Sequence, residues 1–329
     1  METPQKTQPI PPPPGVIHAI WGGMDVISSH LSVMLLPLAL DSLLWFGPRL
    51  SVQKIFSAAF EQILALAGGS LPTEEMTAVQ KMMVEWLPNF NMFSILRTFP
   101  IGISSLMSGK LSVGNPLGAQ SVIEIGSDAT FLGWFFLLTL AGWILGGLYF
   151  SWVSDLTGGR EKPFNYGWTV AQTLLFSVVI SLAGFMVGMP ALFILAVINM
   201  ISPGLMQVAM FLLALFSAWI IVPVFFAPHG MYLRRQNALY SIYTSLRMAR
   251  FTLPSSSMFV LAVFVVSQGL NYLWTVPGDN SWMMLVGIAG HAFITTALLA
   301  ASFIYYRDMN AWLEIVFQRL KPNTAAPQM

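Results

Sequence analysis

The chain has 329 residues, 56% of them hydrophobic and only 9% charged, with a net charge of +1 and no cysteine. A soluble domain carries about 25% charged residues, so the polar surface is too small for a soluble globule of this length. The lack of cysteine excludes disulfides, thiolate metal sites and Cys nucleophiles.

The apolar residues come in long runs that point to lipid. They predict an all-α, polytopic integral membrane helix bundle with about six transmembrane helices. One re-entrant half-helix and several interfacial amphipathic helices complete the expected fold. Residues 1–23 form a Pro-rich N-terminal segment, with Pro11–Pro14 as a stiff spacer. It lacks the basic-then-apolar pattern of a cleavable signal, so the run 24–46 is expected as a retained first span. Residues 47–130 contain no convincing span. Within them, 51–67 places Val52, Ile55, Phe56, Phe60 and Ile63 on one helical face. Thr73 has the look of an N-cap for a second amphipathic helix. The stretch 91–108, broken by Arg97 and Pro100, is expected as an interfacial or re-entrant segment. Together 47–130 form an extracytoplasmic cap.

The second span is expected at 131–153, where Gly142 and Gly146 favour close helix packing. A polar loop with Asp155, Arg160, Glu161 and Lys162 follows. The third span, 168–189, ends at Pro190. The twelve residues 191–202 rise about 18 Å, short of the roughly 30 Å hydrocarbon core, and are expected as a half-helix. Further spans are expected at 205–227, 256–274 and 281–306, followed by an amphipathic tail, 307–329. Arg234, Arg235, Arg247 and Arg250 lie between the fourth and fifth spans, and Arg307, Arg319 and Lys321 follow the sixth. The positive-inside rule then places both termini in the cytoplasm of a multi-pass cell-membrane protein.

No P-loop, dinucleotide turn, zincin motif or nucleophile elbow is present, and no metal or cofactor is expected. Ionisable groups inside spans are expensive, which makes them default functional candidates. Asp41 is either a proton-accepting group or a structural one that binds the loop or pairs with Arg49 or Arg97; the structural role is preferred. His291, in the middle of the last span, reads as a proton relay, an axial ligand or a packing histidine. Asn199 in the half-helix, with Gln268 and Asn271 three apart on one face, would suit a midplane substrate or ion site, or serve as interhelical glue. The 20 methionines read as gap-fillers in packed helices. The loop 231–251 is expected along the inner leaflet, where Arg234, Arg235, Arg247 and Arg250 would attract anionic lipid head groups.

The stretch Phe226-Ala227-Pro228-His229, then Ala238-Leu239-Tyr240-Ser241-Ile242-Tyr243-Thr244-Ser245-Leu246-Arg247, loosely resembles a bacterial pattern. It is similar to the membrane-domain-like families of glycerophosphodiester phosphodiesterases. The likeness covers about a quarter of the chain and does not extend to the catalytic barrel of those enzymes. It implies a bacterial membrane module without their activity. Three functions are therefore open. The first is a non-enzymatic module or subunit acting with a lipid, a protein partner or a second copy. The second is a transporter or permease-like protein for a small solute or lipid. The third is a lipid-modifying enzyme. Membrane lipids are the expected partners, and nucleic acid is not.

Overall fold

The computed structural model describes residues 11–67, 77, 81–110, 114–158 and 165–320. The expected N-cap at Thr73, the charges Arg160, Glu161 and Lys162, and Lys321 lie outside the described residues. Among the described residues, eight long helices carry the fold. They are α1 (Val16–Ser29), α2 (Leu35–Phe46), α3 (Gln53–Ala67), α4 (Asp128–Leu156), α5 (Tyr166–Ile201), α6 (Pro203–Leu233), α7 (Ala238–Trp274) and α8 (Met284–Leu320). Two small two-stranded sheets accompany them. The fold is the all-α polytopic bundle expected, with α4 to α8 each long and apolar enough to cross a membrane.

Side-chain caps fix where the helices start. Ser127, Asn165, Ser202 and Asn237 each accept a hydrogen bond from the backbone N–H three residues on. These caps satisfy donors that a helix start leaves without a partner. Ser202 is followed by Pro203 in the first turn of α6, where a missing N–H costs nothing.

Three expectations need correction. First, residues 191–201 are not a separate half-helix. The helix α5 runs 36 residues straight through Pro190 to Ile201. Proline removes one backbone bond, and unbroken apolar sequence on both sides gives the chain no better alternative. The real break is at Ser202, which caps α6. Second, the first span is not one straight helix. It starts at Val16 and bends by 94° between α1 and Leu31–Phe46. No proline or glycine sits at the bend. Instead Ser28 and Ser29 donate to the Asp25 carbonyl, and His30 Nδ1 bonds the Val26 carbonyl. Such local bonds compete with the helical ladder. The bent pair still joins the two ends of the bundle. Trp312 Nε1 of α8 donates to Pro11 O at one end, and Trp45 Nε1 donates to Asp279 O at the other.

Third, the expected inner-leaflet loop 231–251 is mostly helix. Only residues 234–237 separate α6 from α7. Ser241 and Ser245 of α7 donate to the carbonyls of Ala227 and Pro223 on α6, each at 2.5 Å. These bonds tie the two helices of the hairpin together. Residues 307–320 of the expected tail continue α8, and Arg247 covers the Phe317 ring at 5.8 Å.

The helices differ sharply in how they are packed. In its apolar window α8 is 61% buried, whereas α5 is 6% and α6 12% buried. So α8 is the central post. Its Ala297 and Ala301 receive α1 at Gly23, where any Cβ would meet backbone at 2.3 Å. The outer halves of α5 and α6 form an arm that stands clear of the bundle. Met210, Phe211, Leu212 and Leu213 are all exposed, and four successive residues cover every face of a helix. No Asp, Glu, Lys or Arg occurs between Lys162 and Arg234, so the arm suits hydrocarbon on all sides.

Candidate functional site

The stretch 92–109 is the element that builds the site. It consists of a short 3-10 helix, Met92–Arg97, an irregular run and a second turn, Met107–Gly109. Ile101, Ile103, Leu106 and Met107 are buried in the main core. The segment is therefore packed into the core of the bundle. Gly142 and Gly146, expected to receive a helix, receive this segment instead. A Cβ at Gly146 would stand 2.7 Å from Gly102, and one at Gly142 would stand 2.5 Å from Thr98.

Irregular backbone at this depth survives only if its polar groups find partners. Asp41 of α2 supplies them. Its carboxylate accepts Ser105 Oγ at 2.5 Å, Met107 N at 3.0 Å and Leu106 N at 3.1 Å. Asp41 is fully buried, so of its two readings the structure displays the loop-binding one. Trp143 of α4 adds a bond from Nε1 to Phe99 O.

Pinned in this way, the segment forms one wall of a cavity of about 420 Å³ between α4, α6, α7 and α8. The volume falls within the roughly 300–1,000 Å³ typical of small-molecule sites. Gln268, Asn271 and His291 line it, as does Arg97 from the re-entrant segment. Phe99, Phe225, Val263 and Leu299 supply apolar wall. His291 is 8% exposed, and among the described residues its Nε2 has no partner, nor does the buried Oδ1 of Asn271. A buried polar atom without a partner costs roughly 1–3 kcal/mol. Both atoms are closed off from the cavity, so other atoms of the two residues line it. Arg97 donates to Ser108 Oγ at 3.2 Å, and among the described residues it forms no ion pair.

His229 of α6 also reaches the cavity, with Nε2 2.7 Å from Ser302 Oγ. Ser302 Oγ lies 2.6 Å from the Leu299 carbonyl, which can only accept. The hydroxyl therefore donates there and accepts from His229. That is the reverse of a histidine activating a serine nucleophile.

The remaining candidates are dispersed. Asn199 is exposed on the arm, outside the cavity, because α5 does not break where the half-helix required it to. Arg235 does not face head groups. It is 7% exposed and donates to Ser151 and Thr169, with Asp155 at 3.4 Å. Arg234 lies 3.4 Å from Glu314, while Arg247 and Arg250 remain exposed on α7. Glu124 and Asp128, which a lipid-modifying site would have drawn in, do not line the cavity. Among the described residues no three His, Asp or Glu gather as a metal site would need.

Sequence reasoning did not place Arg97, His229 and Ser302 in the site. The available signal was ionisable residues within apolar runs, which applies to Arg97 and His229 as it does to Asp41. Neither a family model, a curated protein sequence nor a solved structure matches this chain.

Proposed function

We propose that this chain is a non-enzymatic, permease-like membrane protein that takes an amphiphilic molecule from the bilayer into the cavity beside the re-entrant segment. One observation carries the reading: a half-open cavity beside the segment combines apolar wall with the polar side chains Arg97, Gln268, Asn271 and His291. A purely structural bundle would fill such a space with side chains. A head group bonded to Arg97 and Gln268, with a tail along Phe225 and Val263, satisfies both kinds of wall. The end holding Arg234, Arg247, Arg250 and Arg307 faces the cytoplasm of the cell membrane in this reading, following the positive-inside rule.

The test is co-purification. The protein is isolated in mild neutral detergent and its lipids are extracted and identified. Wild type is expected to retain one amphiphile in near-stoichiometric amount, and Ser267→Trp, which fills the cavity from α7, to lose it. Equal retention by both proteins would remove the cavity from the account.

A second reading, a subunit of a larger assembly, is supported by the unpacked α5–α6 arm. A stoichiometric partner chain in the same preparation would favour it, and a monodisperse single chain would count against it.

A further inference from the structure

We infer that the occupant of this cavity carries an anionic head group and reaches it sideways, through the fork between α6 and α7. The inference rests on the proposed function and names its ligand class.

The charge inventory comes first. Arg97 is the one fixed charge among the residues lining the cavity, and no Asp or Glu is among them. The nearby acid, Asp41, is fully buried and engaged by Ser105, Leu106 and Met107. It does not neutralise the guanidinium by direct contact. Arginine presents five N–H donors in a planar fork suited to phosphate or carboxylate. The bond to Ser108 Oγ uses one side of that fork. The neutral polar side chains Gln268, Asn271 and Thr295 line the same cavity.

The access route follows from the packing. The α6–α7 hairpin is tied where Ser241 and Ser245 bond Ala227 and Pro223. Between those two ties, Phe225 and Phe226 of α6 also meet Phe259 of α7 at 6.5 and 6.1 Å between ring centroids. Beyond that contact α6 enters the free-standing arm, and Leu261, Phe264 and Val265 of α7 are exposed. Phe225 of α6 and Val263 of α7, the latter beyond the Phe259 contact, both line the cavity. Phe99, 67% exposed, stands on the cavity wall beside Arg97. An apolar tail can remain in the fork, among lipid chains, while the head turns inward to Arg97. A soluble anion gains nothing from such a route.

The test is native mass spectrometry of the full chain in neutral detergent. It is carried out in an Arg247→Gln/Arg250→Gln background, so that basic groups on the cytoplasmic side do not contribute. Phosphatidylglycerol and phosphatidylcholine with identical acyl chains are titrated separately, and inorganic phosphate serves as competitor. The parent protein is expected to prefer phosphatidylglycerol by about tenfold, the scale of one charge-assisted hydrogen bond. Arg97→Gln should abolish the preference while phosphatidylcholine binding persists, and Arg97→Lys should retain part of it. Inorganic phosphate should not compete. If Arg97→Gln keeps the preference, Arg97 is overturned as the group that reads the head; if the parent protein shows no preference, the anionic head group is overturned while the cavity reading stands. If inorganic phosphate competes fully, the ligand is a soluble anion and lateral access is overturned. If the parent protein binds neither lipid, the proposed function itself fails.

Discussion

Replacing Asp41 should release the re-entrant segment without unfolding the bundle. Its carboxylate accepts three hydrogen bonds from residues 105–107. Bonds to a charged group contribute roughly 1.5–3 kcal/mol each and do not add simply. Asp41→Asn keeps one acceptor oxygen and turns an amide NH₂ toward a donor, a loss of about 2 kcal/mol. Asp41→Ala removes all three acceptors, and about 4 kcal/mol is a reasonable total. At 1.4 kcal/mol per factor of ten, the open population of the segment rises roughly 30-fold and 700-fold respectively. The chain has no native cysteine, so a single introduced thiol reports opening without background. Ile103→Cys, at a position 3% exposed, should react slowly in the parent and faster by those factors in the two variants. Ala300→Cys, at a fully buried position in α8, should not change. Unchanged labelling at 103 in Asp41→Ala would refute the pin. An equal rise at 300 would show that Asp41 holds the whole bundle rather than the segment.

Three further outcomes follow. Gly146→Val would drive a side chain into Gly102, which lies 2.7 Å from the Cβ position. Overpacking of this kind costs about 1–3 kcal/mol, and the variant should lose both thermal stability and the co-purified amphiphile. Arg235→Ala strips Asp155, Ser151 and Thr169 of a buried partner. Asp155 keeps some solvent access, so thermal unfolding should show a loss of about 2–3 kcal/mol, against about 0.5 kcal/mol or less for Arg250→Ala. Lys110 and Asp279 bond at 2.7 Å across the outer end. Being partly exposed, the pair should show a coupling of about 1 kcal/mol or less in a double-mutant cycle.

Much of this architecture is legible in the sequence, and the failures have physical causes. Long apolar runs and flanking caps mark the helices, because burial in lipid and orphan backbone groups leave local signatures. Gln268 and Asn271 share a face by spacing alone, and the structure places both on the cavity. Pro190 misleads because its cost in water, an exposed broken ladder, is outweighed in hydrocarbon, where leaving the helix costs more. The bend at His30 has no Pro or Gly signal. It depends on three side chains competing for the carbonyls of Asp25 and Val26. Arg234 and Arg235 are indistinguishable in composition, yet a left-handed φ of 50° at Arg235 turns one inward and leaves the other beside Glu314. The docking of 97–108 onto Gly142 and Gly146 is a contact across about forty residues, and the small residues show only that something must approach closely there.

The central claim is that the cavity beside the re-entrant segment holds a bilayer amphiphile. The most direct measurement is an experimental density map of the full chain in a lipid nanodisc, at a resolution that shows side chains. The account predicts elongated density in the fork between α6 and α7, ending in a compact head within hydrogen-bond distance of Arg97 and beside Gln268 and Asn271. A cavity closed by side chains, or one holding only separate water peaks with no tail in the fork, would contradict it.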